Sequence, residues 1–507
     1  MQNIANEEIL YEQRTLLKER GICVIIPTYN NAGTIADVVL RAKKQCDDII
    51  VVCDGCTDNT IKILGSVSGI SIVTHKKNLG KGAALRSGFK KAHESGFSYA
   101  ITIDADGQHF PEDINLMVQG NLKYPGALLI GERKNLDKVE RSYGSKFANK
   151  FSNFWFFVQT GKLLKDTQTG FRLYPLKKLY GLRFLTSRYE AELELLVLAA
   201  WHGVKIESIS VDVYYPSKEE RVSHFRPALD FTRISLLNTV LCLFAVLYGL
   251  PLTLLRKTLQ FAVTIYSMAF FIISSLFVLT PFTMLYVAFT SSTETRQRNL
   301  RKILHYFARF IMVWHGVPRV KYCCATKGNI DFTTPSIIIC NHQSHLDLMA
   351  LMAEVGNIVF MTNNWVWNSP LFGYVIRKAG YILSSSGVEN MEENVKYQLD
   401  QGVNVAIFPE GTRSTDCSIK RFHSGAFYLA KSLAVDITPA ILYGTGKVLP
   451  KNRRLLNPGV IELYFDEKLK VAEIENEHKT MRGVASYVRK YYHNRYAKIS
   501  NRIEQNV

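Results

Sequence analysis

Two stretches carry no charged side chain, residues 234–255 and 258–293, with only Arg256-Lys257 between them. A helix of about 20 apolar residues crosses a bilayer core, so both stretches are of membrane length. They divide the 507 residues into a soluble-looking first part (1–230), a hydrophobic middle (231–300) and a soluble-looking second part (301–507). A chain this long exceeds one ordinary core. Its formal net charge of +18 fits an anionic membrane surface or phosphorylated substrates. The basic residues are spread along the chain without an arm-like block, which argues against nucleic acid as a partner. Nine cysteines at irregular spacing make no disulfide framework and imply a reduced compartment. The opening MQNIANEEILYEQRTLLKER is polar and acidic where a secretory signal is basic and then apolar, so translocation of the first part is not expected.

The first part alternates strand and helix patterns. Apolar runs at 22–29, 49–52, 71–75 and 100–103 read as strands, with helical patterns over 32–44, 60–66 and up to Ala92 between them. This alternation predicts an α/β domain with a mostly parallel, doubly wound sheet. No G-x-G-x-x-G follows the first strand, which disfavours a nicotinamide dinucleotide fold. The fourth run ends in Asp104-Ala105-Asp106. Two carboxylates on one loop can reach one divalent cation. Hard oxygen ligands suit Mg²⁺ or Mn²⁺, which neutralise a leaving diphosphate. The plain alternative is a solvated acidic turn. Cys53 and Cys56 have C-x-x-C spacing, but no second pair or paired His completes a zinc site.

The segments IIPTYN, VVCDGCTDNT, NLGKGAAL, DADGQHFP and DTQTGFRLYP, taken in order and spacing, resemble the family 2 glycosyltransferases over about residues 20–225, and the polyprenyl-phosphate sugar transferases among them. The resemblance implies a nucleotide-sugar donor and inversion at the anomeric carbon. It puts Asp54 on the nucleoside and Asp104 and Asp106 on the metal and diphosphate. Pro27, Lys81 and Arg172 join Asp54 as substrate-binding candidates. Cys53 and Cys56 stand where that family usually carries Asp and Ser, which makes the C-x-x-C spacing coincidental. Asp166 precedes the acceptor-side segment. Glu190, Glu192 and Glu194 enter a helix, where Glu190 and Glu194 share a face and Glu192 turns away. Asp166 or one of these glutamates, Glu192 among them, is the candidate base for an acceptor hydroxyl. An ionised phosphate acceptor needs none, and a solvated helix face is the plain alternative.

In the second part, PSIIICNHQSHLD is an apolar strand running into Asn341-His342, with Asp347 five residues after the histidine. Five helical steps turn about 500°, so a turn must lie between them, and Ser344 can cap the helix that follows. His342 can then take a hydroxyl proton while Asp347 fixes its tautomer. In VNVAIFPEGTRS another apolar strand enters a turn with Glu410, Gly411, Thr412 and Arg413, and an Arg fork beside backbone N–H groups suits phosphate. With SPLFGYVIRKAG and ITPAILYGTG, these segments resemble the glycerolphosphate and lysophosphatidate acyltransferases over about residues 300–465. The resemblance implies a second α/β domain and acyl transfer from acyl-CoA or acyl carrier protein to a lipid-linked hydroxyl, with His342 and Asp347 catalytic and Asn341, Glu410, Gly411, Thr412 and Arg413 binding substrate. The chain departs from that family where many members carry an acceptor-gripping Arg. Ser384-Ser385-Ser386 stands there, and Arg377 is the nearest Arg. A sugar hydroxyl or unusual lipid thereby becomes the easier acceptor.

Nucleotide sugars and acyl thioesters are cytoplasmic, so both domains belong on the cytoplasmic side of the cell membrane. The hydrophobic middle then crosses an even number of times or not at all. A two-span hairpin puts Arg256-Lys257 on the far face, against the positive-inside tendency. The alternative is a re-entrant arrangement with helices broken at Pro251 and Pro281. Arg296, Arg298, Arg301 and Lys302 follow it at the cytoplasmic surface. The chain is thus expected to be a bifunctional, membrane-associated enzyme of lipid or glycolipid biosynthesis. The rivals are an acyltransferase with a non-catalytic nucleotide- or partner-binding first domain, and a membrane scaffold.

Overall fold

A computed structural model describes residues 2–134, 143–214, 227–326, 331–370, 372–385 and 387–506. The chain forms two compact units, Met1–Arg256 with Asn501–Val507, and Lys257–Ser500. The hydrophobic middle, read from the sequence as a separate piece, is shared between them.

The first unit is built on seven strands: β1 (Ile22–Thr28), β2 (Ile49–Asp54), β3 (Ser71–His75), β4 (Tyr99–Thr102), β5 (Leu128–Arg133), β6 (Arg172–Pro175) and β7 (Ile206–Val211), in the order β3-β2-β1-β4-β6-β5-β7. The first four are mutually parallel, and β6 runs antiparallel between β4 and β5. Successive strand side chains face opposite ways. Val24, Ile26, Val51 and Ile101 accordingly enter one buried cluster, and Cys23, Ile25, Val52 and Ala100 another. Both faces are therefore covered, as parallel sheets require. Each fully buried aliphatic side chain contributes roughly 1.5–3 kcal/mol.

The second unit has its own seven strands: β8 (Val320–Cys324), β9 (Ile337–Cys340), β10 (Ile358–Thr362), β11 (Ile382–Leu383), β12 (Asn404–Ile407), β13 (Ile437–Tyr443) and β14 (Gly459–Phe465), in the order β11-β10-β12-β9-β13-β14-β8. Only the β13–β14 pairing is antiparallel. Every residue of β9, β12 and β13 is buried.

Among the described residues one helix, Phe231–Phe289, is long and apolar enough to cross a membrane, and 22% of its most apolar window is buried. Pro251 and Pro281 do not break it, contrary to the expectation above. Each follows a π-helical turn, Ala245–Gly249 and Ser274–Leu279 respectively. The wider turn shifts the hydrogen bonding to i→i−5, so the helix continues past a residue that lacks an N–H.

Candidate active sites

In the first unit the candidate residues lie at the carboxyl ends of the parallel strands, where open α/β sheets place ligands. Asp54 ends β2 and is buried. Its carboxylate accepts the Leu79 N–H (2.9 Å) and the Gly80 N–H (2.6 Å) and pairs with His75 Nδ1 (2.7 Å). His75 Nε2 lies 2.8 Å from Ser87 Oγ. Asp54 thus fixes the NLGK loop that aims Lys81. Gly55 follows in the left-handed region, and a Cβ there would lie 2.2 Å from the Lys77 carbonyl carbon, so the loop closes only on glycine. Pro27 lies within β1, paired with Val52. Cys56 Sγ donates to the Thr28 carbonyl at 3.6 Å.

Lys81 opens the helix Lys81–Glu94, its ammonium 2.7 Å from Asp104 Oδ1 and 2.9 Å from Glu192 Oε2. Burial works against that charge, but the two carboxylates outweigh it and raise the Lys81 pKa. Asp104 is half-buried, and although burial opposes its charge too, Lys81 holds its carboxyl below the usual range. Burial and then the Asp104 charge push Asp106 up to about 6. Two crowded carboxylates answered by one ammonium are a hard-oxygen donor set short of positive charge, which fits Mg²⁺ or Mn²⁺ on Asp104 and Asp106.

The three glutamates do not form a solvated face, because the whole helix entry is buried. Glu194 accepts the Leu185 and Thr186 N–H groups. Glu192 spends Oε2 on Lys81, while its buried Oε1 has no hydrogen-bond partner. Asp166 is clamped by Arg133 through two hydrogen bonds, 2.6 and 2.8 Å, and also accepts the Gln168 N–H. Arg172 is fully buried and donates to the carbonyls of Thr167, Thr169 and Glu192. It shapes the loop between Asp166 and β6, and its guanidinium is taken up by these carbonyls. His75, Arg133 and His109 escaped sequence reasoning. His109 stacks on Phe171, and its buried Nδ1 has no partner.

In the second unit β9 delivers Asn341 and His342. Asn341 is buried, and its side chain exchanges two 2.8 Å hydrogen bonds with the Leu442 backbone, extending the β9–β13 pairing by one step. His342 Nδ1 lies 2.8 Å from Asp347 Oδ2. The same oxygen accepts the N–H groups of Gln343 (2.7 Å) and Ser344 (2.9 Å), so the intervening turn closes on Asp347 itself. Ser344 is not the helix cap. His345 holds that position before the helix Leu346–Glu354, and Ser344 Oγ donates to the Leu449 carbonyl. The His342 ring stacks on Phe408, centroids 4.2 Å apart, which leaves Nε2 without a hydrogen-bond partner among the described residues.

Glu410 follows β12 and holds the His342 loop in place. Its oxygens accept the His342 N–H (2.9 Å) and the Lys420 N–H (3.0 Å), and burial raises its pKa despite these bonds. Gly411 is in the left-handed region. Thr412 Oγ1 accepts from Lys420 Nζ at 3.3 Å. The Arg413 carbonyl accepts from Lys420 and Lys451, while its half-buried guanidinium makes no hydrogen bond or ion pair among the described residues. Burial, then the charges of Arg413 and His342, lower the His345 pKa. Arg377 donates to the Trp367 carbonyl. Of the three serines in the departure from the acyltransferases, Ser384 donates its N–H to Thr362, Ser385 Oγ meets Asn364 Oδ1 at 3.1 Å, and Ser386 lies outside the described residues.

The profile of Glycosyl transferase family 2 matches residues 23–179, and that of the Acyltransferase family matches residues 321–443. A UDP-N-acetylglucosamine–dolichyl-phosphate N-acetylglucosaminyltransferase of Methanococcus voltae is 30% identical over 220 residues, covering 39% of this chain and 88% of that protein. A chloroplast 1-acyl-sn-glycerol-3-phosphate acyltransferase of Arabidopsis thaliana is 28% identical over 178 residues, 33% of this chain and 49% of that protein, so the chain spans about half of that relative's length. Among solved structures, the Thermotoga maritima 1-acyl-sn-glycerophosphate acyltransferase aligns at TM-score 0.42 and 20% identity over 48% of this chain and 98% of that one. A glucosyl-3-phosphoglycerate synthase from Mycobacterium tuberculosis aligns at TM-score 0.36 and 20% identity over 46% of this chain and 82% of that one. The chain is therefore a transferase that belongs to glycosyltransferase family 2 through its first unit and carries an acyltransferase-family domain in its second.

Proposed function

We propose that the chain is a bifunctional, membrane-associated enzyme of glycolipid biosynthesis. Its first unit moves a sugar from a nucleotide-sugar donor to a lipid-linked acceptor, and its second moves an acyl group from acyl-CoA or acyl carrier protein to a lipid-linked hydroxyl. The observation that carries this reading is the His342 Nδ1–Asp347 Oδ2 contact, 2.8 Å, with Nε2 left free, in a chain that also holds a family 2 glycosyltransferase domain.

In the second unit the acceptor hydroxyl attacks the thioester carbonyl carbon and its proton passes to His342 Nε2. Asp347 stabilises the imidazolium. Collapse of the tetrahedral adduct expels the thiolate, which takes that proton. No acyl-enzyme forms. Arg413, whose guanidinium has no hydrogen-bond or ion-pair partner among the described residues, is a cation for an anionic group on donor or acceptor.

In the first unit Asp104 and Asp106 would hold a Mg²⁺ or Mn²⁺ ion, which would neutralise charge on the departing nucleoside diphosphate. Lys81 adds a second positive charge at the same place. Glu192, with its unpartnered Oε1, is the better placed base for an acceptor hydroxyl, since Arg133 occupies both oxygens of Asp166. The helix Phe231–Phe289 holds the chain at the cell membrane without crossing it, since one unbroken crossing would part the domains, and both domains lie on the cytoplasmic side where both donors are made. Membranes containing the protein, given a radiolabelled nucleotide sugar and a radiolabelled acyl-CoA separately, test this. Both labels are expected in lipid. Acyl label alone would reduce the first unit to a binding domain.

A further inference from the structure

The edge of the acyl-transfer site toward β10 and β11 is aromatic. Trp365 projects from a single helical turn, Asn364–Trp367, and is 66% exposed. The turn is rigid: Asn363 caps it by accepting the Val366 N–H at 3.1 Å, and Arg377 donates to the Trp367 carbonyl. The indole lies beside the imidazole of His345, centroids 5.5 Å apart and planes tilted by 33°. His345 in turn feels the charges of Arg413 and His342. A large exposed ring is thus held one histidine away from the proposed base. Polar but neutral groups flank it, the Asn364 amide meeting the Ser385 hydroxyl at 3.1 Å. Arg377 and Lys378 are the basic residues of the stretch 358–387, and the Arg377 guanidinium is turned to the Trp367 carbonyl.

A pyranose matches this edge. Its axial C–H face packs on an indole, and its rim of hydroxyls takes amide and hydroxyl partners. We infer that Trp365 is the platform on which a neutral sugar ring of the acyl acceptor stacks, presenting one ring hydroxyl to His342. The inference rests on the acyl-transfer reading above and names the acceptor class of that site: a glycosylated lipid, which the first unit of the same chain is proposed to make. Delivery between two domains of one polypeptide raises effective concentration without any new contact.

The test compares full-length protein in nanodiscs, wild type against Trp365→Ala and Trp365→Phe. Palmitoyl-CoA is the donor, and dodecyl glucoside and dodecanol are the acceptors. Trp365→Ala is expected to raise KM for the glucoside about three- to tenfold more than for the alcohol, with kcat on the glucoside largely kept, while Phe restores most of the difference. Equilibrium binding of radiolabelled dodecyl glucoside to the same variants reads the platform without turnover. Equal losses on both acceptors, or loss of nanodisc association in the Ala variant, would overturn the platform and make Trp365 a structural or membrane-anchoring residue. So would wild-type protein that binds glucoside no better than alcohol. Trp365-dependent glucoside binding without any acyl transfer would instead refute the acyl-transfer reading and leave the platform standing.

Discussion

Lys81 holds its ammonium 2.7 Å from Asp104 Oδ1, inside the loop where a nucleoside diphosphate would depart. The contact joins the start of one helix to the end of β4, and Glu192 completes it from a third element. Removing the ammonium leaves the buried Glu192 and the half-buried Asp104 without their counter-charge. Lys81→Met is therefore expected to lower sugar transfer by about 10²–10³-fold, the usual loss for a group that stabilises departing negative charge. Acyl transfer should be unchanged, because its residues belong to a separate sheet. Parallel assays of both half-reactions decide it.

Metal removal gives a second prediction. Sugar transfer should vanish in EDTA and return with Mg²⁺ or Mn²⁺, and Asp106→Ala should lose it irreversibly while acyl transfer persists. Full sugar transfer in EDTA would remove the metal role of Asp104 and Asp106.

A third prediction concerns the acyl site. His342→Ala should lower acyl transfer by about 10²–10⁴-fold. Asp347→Asn should cost about 10²-fold or more. Its amide oxygen still accepts the Gln343 and Ser344 N–H groups, so the loop keeps its shape while the charge opposite His342 is lost. Arg413→Ala should act mainly on KM, since its guanidinium makes no hydrogen bond or ion pair among the described residues and is left to bind substrate. Steady-state kinetics on each variant separate these cases. Normal turnover by His342→Ala would sink the mechanism.

The fourth prediction follows from His109. Burial pushes its pKa down to about 4, while the unfolded chain keeps an ordinary histidine near 6.5. The folded state binds the proton later than the unfolded state does, so the contribution is full above about pH 6.5 and is lost as pH falls toward 4. Between pH 7.5 and 5 this amounts to about 2 kcal/mol. Urea titrations in EDTA, followed by proteolysis of the first unit, should show that loss in wild type and a smaller one in His109→Asn. Equal losses in both would show that another group carries the acid sensitivity.

Local signals were legible in the sequence and distant partners were not. The strand 71–75 was readable to the residue, and the rule that five helical steps separate His342 from Asp347 required the turn that is present. The burial of Glu190, Glu192 and Glu194 was hidden, because helical periodicity says which residues share a face and not whether solvent lies beyond it. Arg133 and Asp166 stand 33 residues apart in sequence, and Asp54 and His75 stand 21 apart. Each pair forms only once the sheet exists. Pro251 and Pro281 misled for a local reason, since a proline ends an α-helix only where no wider turn precedes it.

Gly170 sits against the carboxylate of Asp104, and a Cβ at that position would fall 2.3 Å from Oδ2. Its backbone is not in the left-handed region, so conformational freedom is not what the position demands. The consequence is genetic. Alanine at residue 170 is the smallest substitution that adds a side-chain carbon, and it would displace Asp104 without altering it. A screen for loss of sugar transfer should therefore find 104 and 170 behaving as one locus, and a suppressor of a Gly170 lesion would have to shorten or move the acid it crowds.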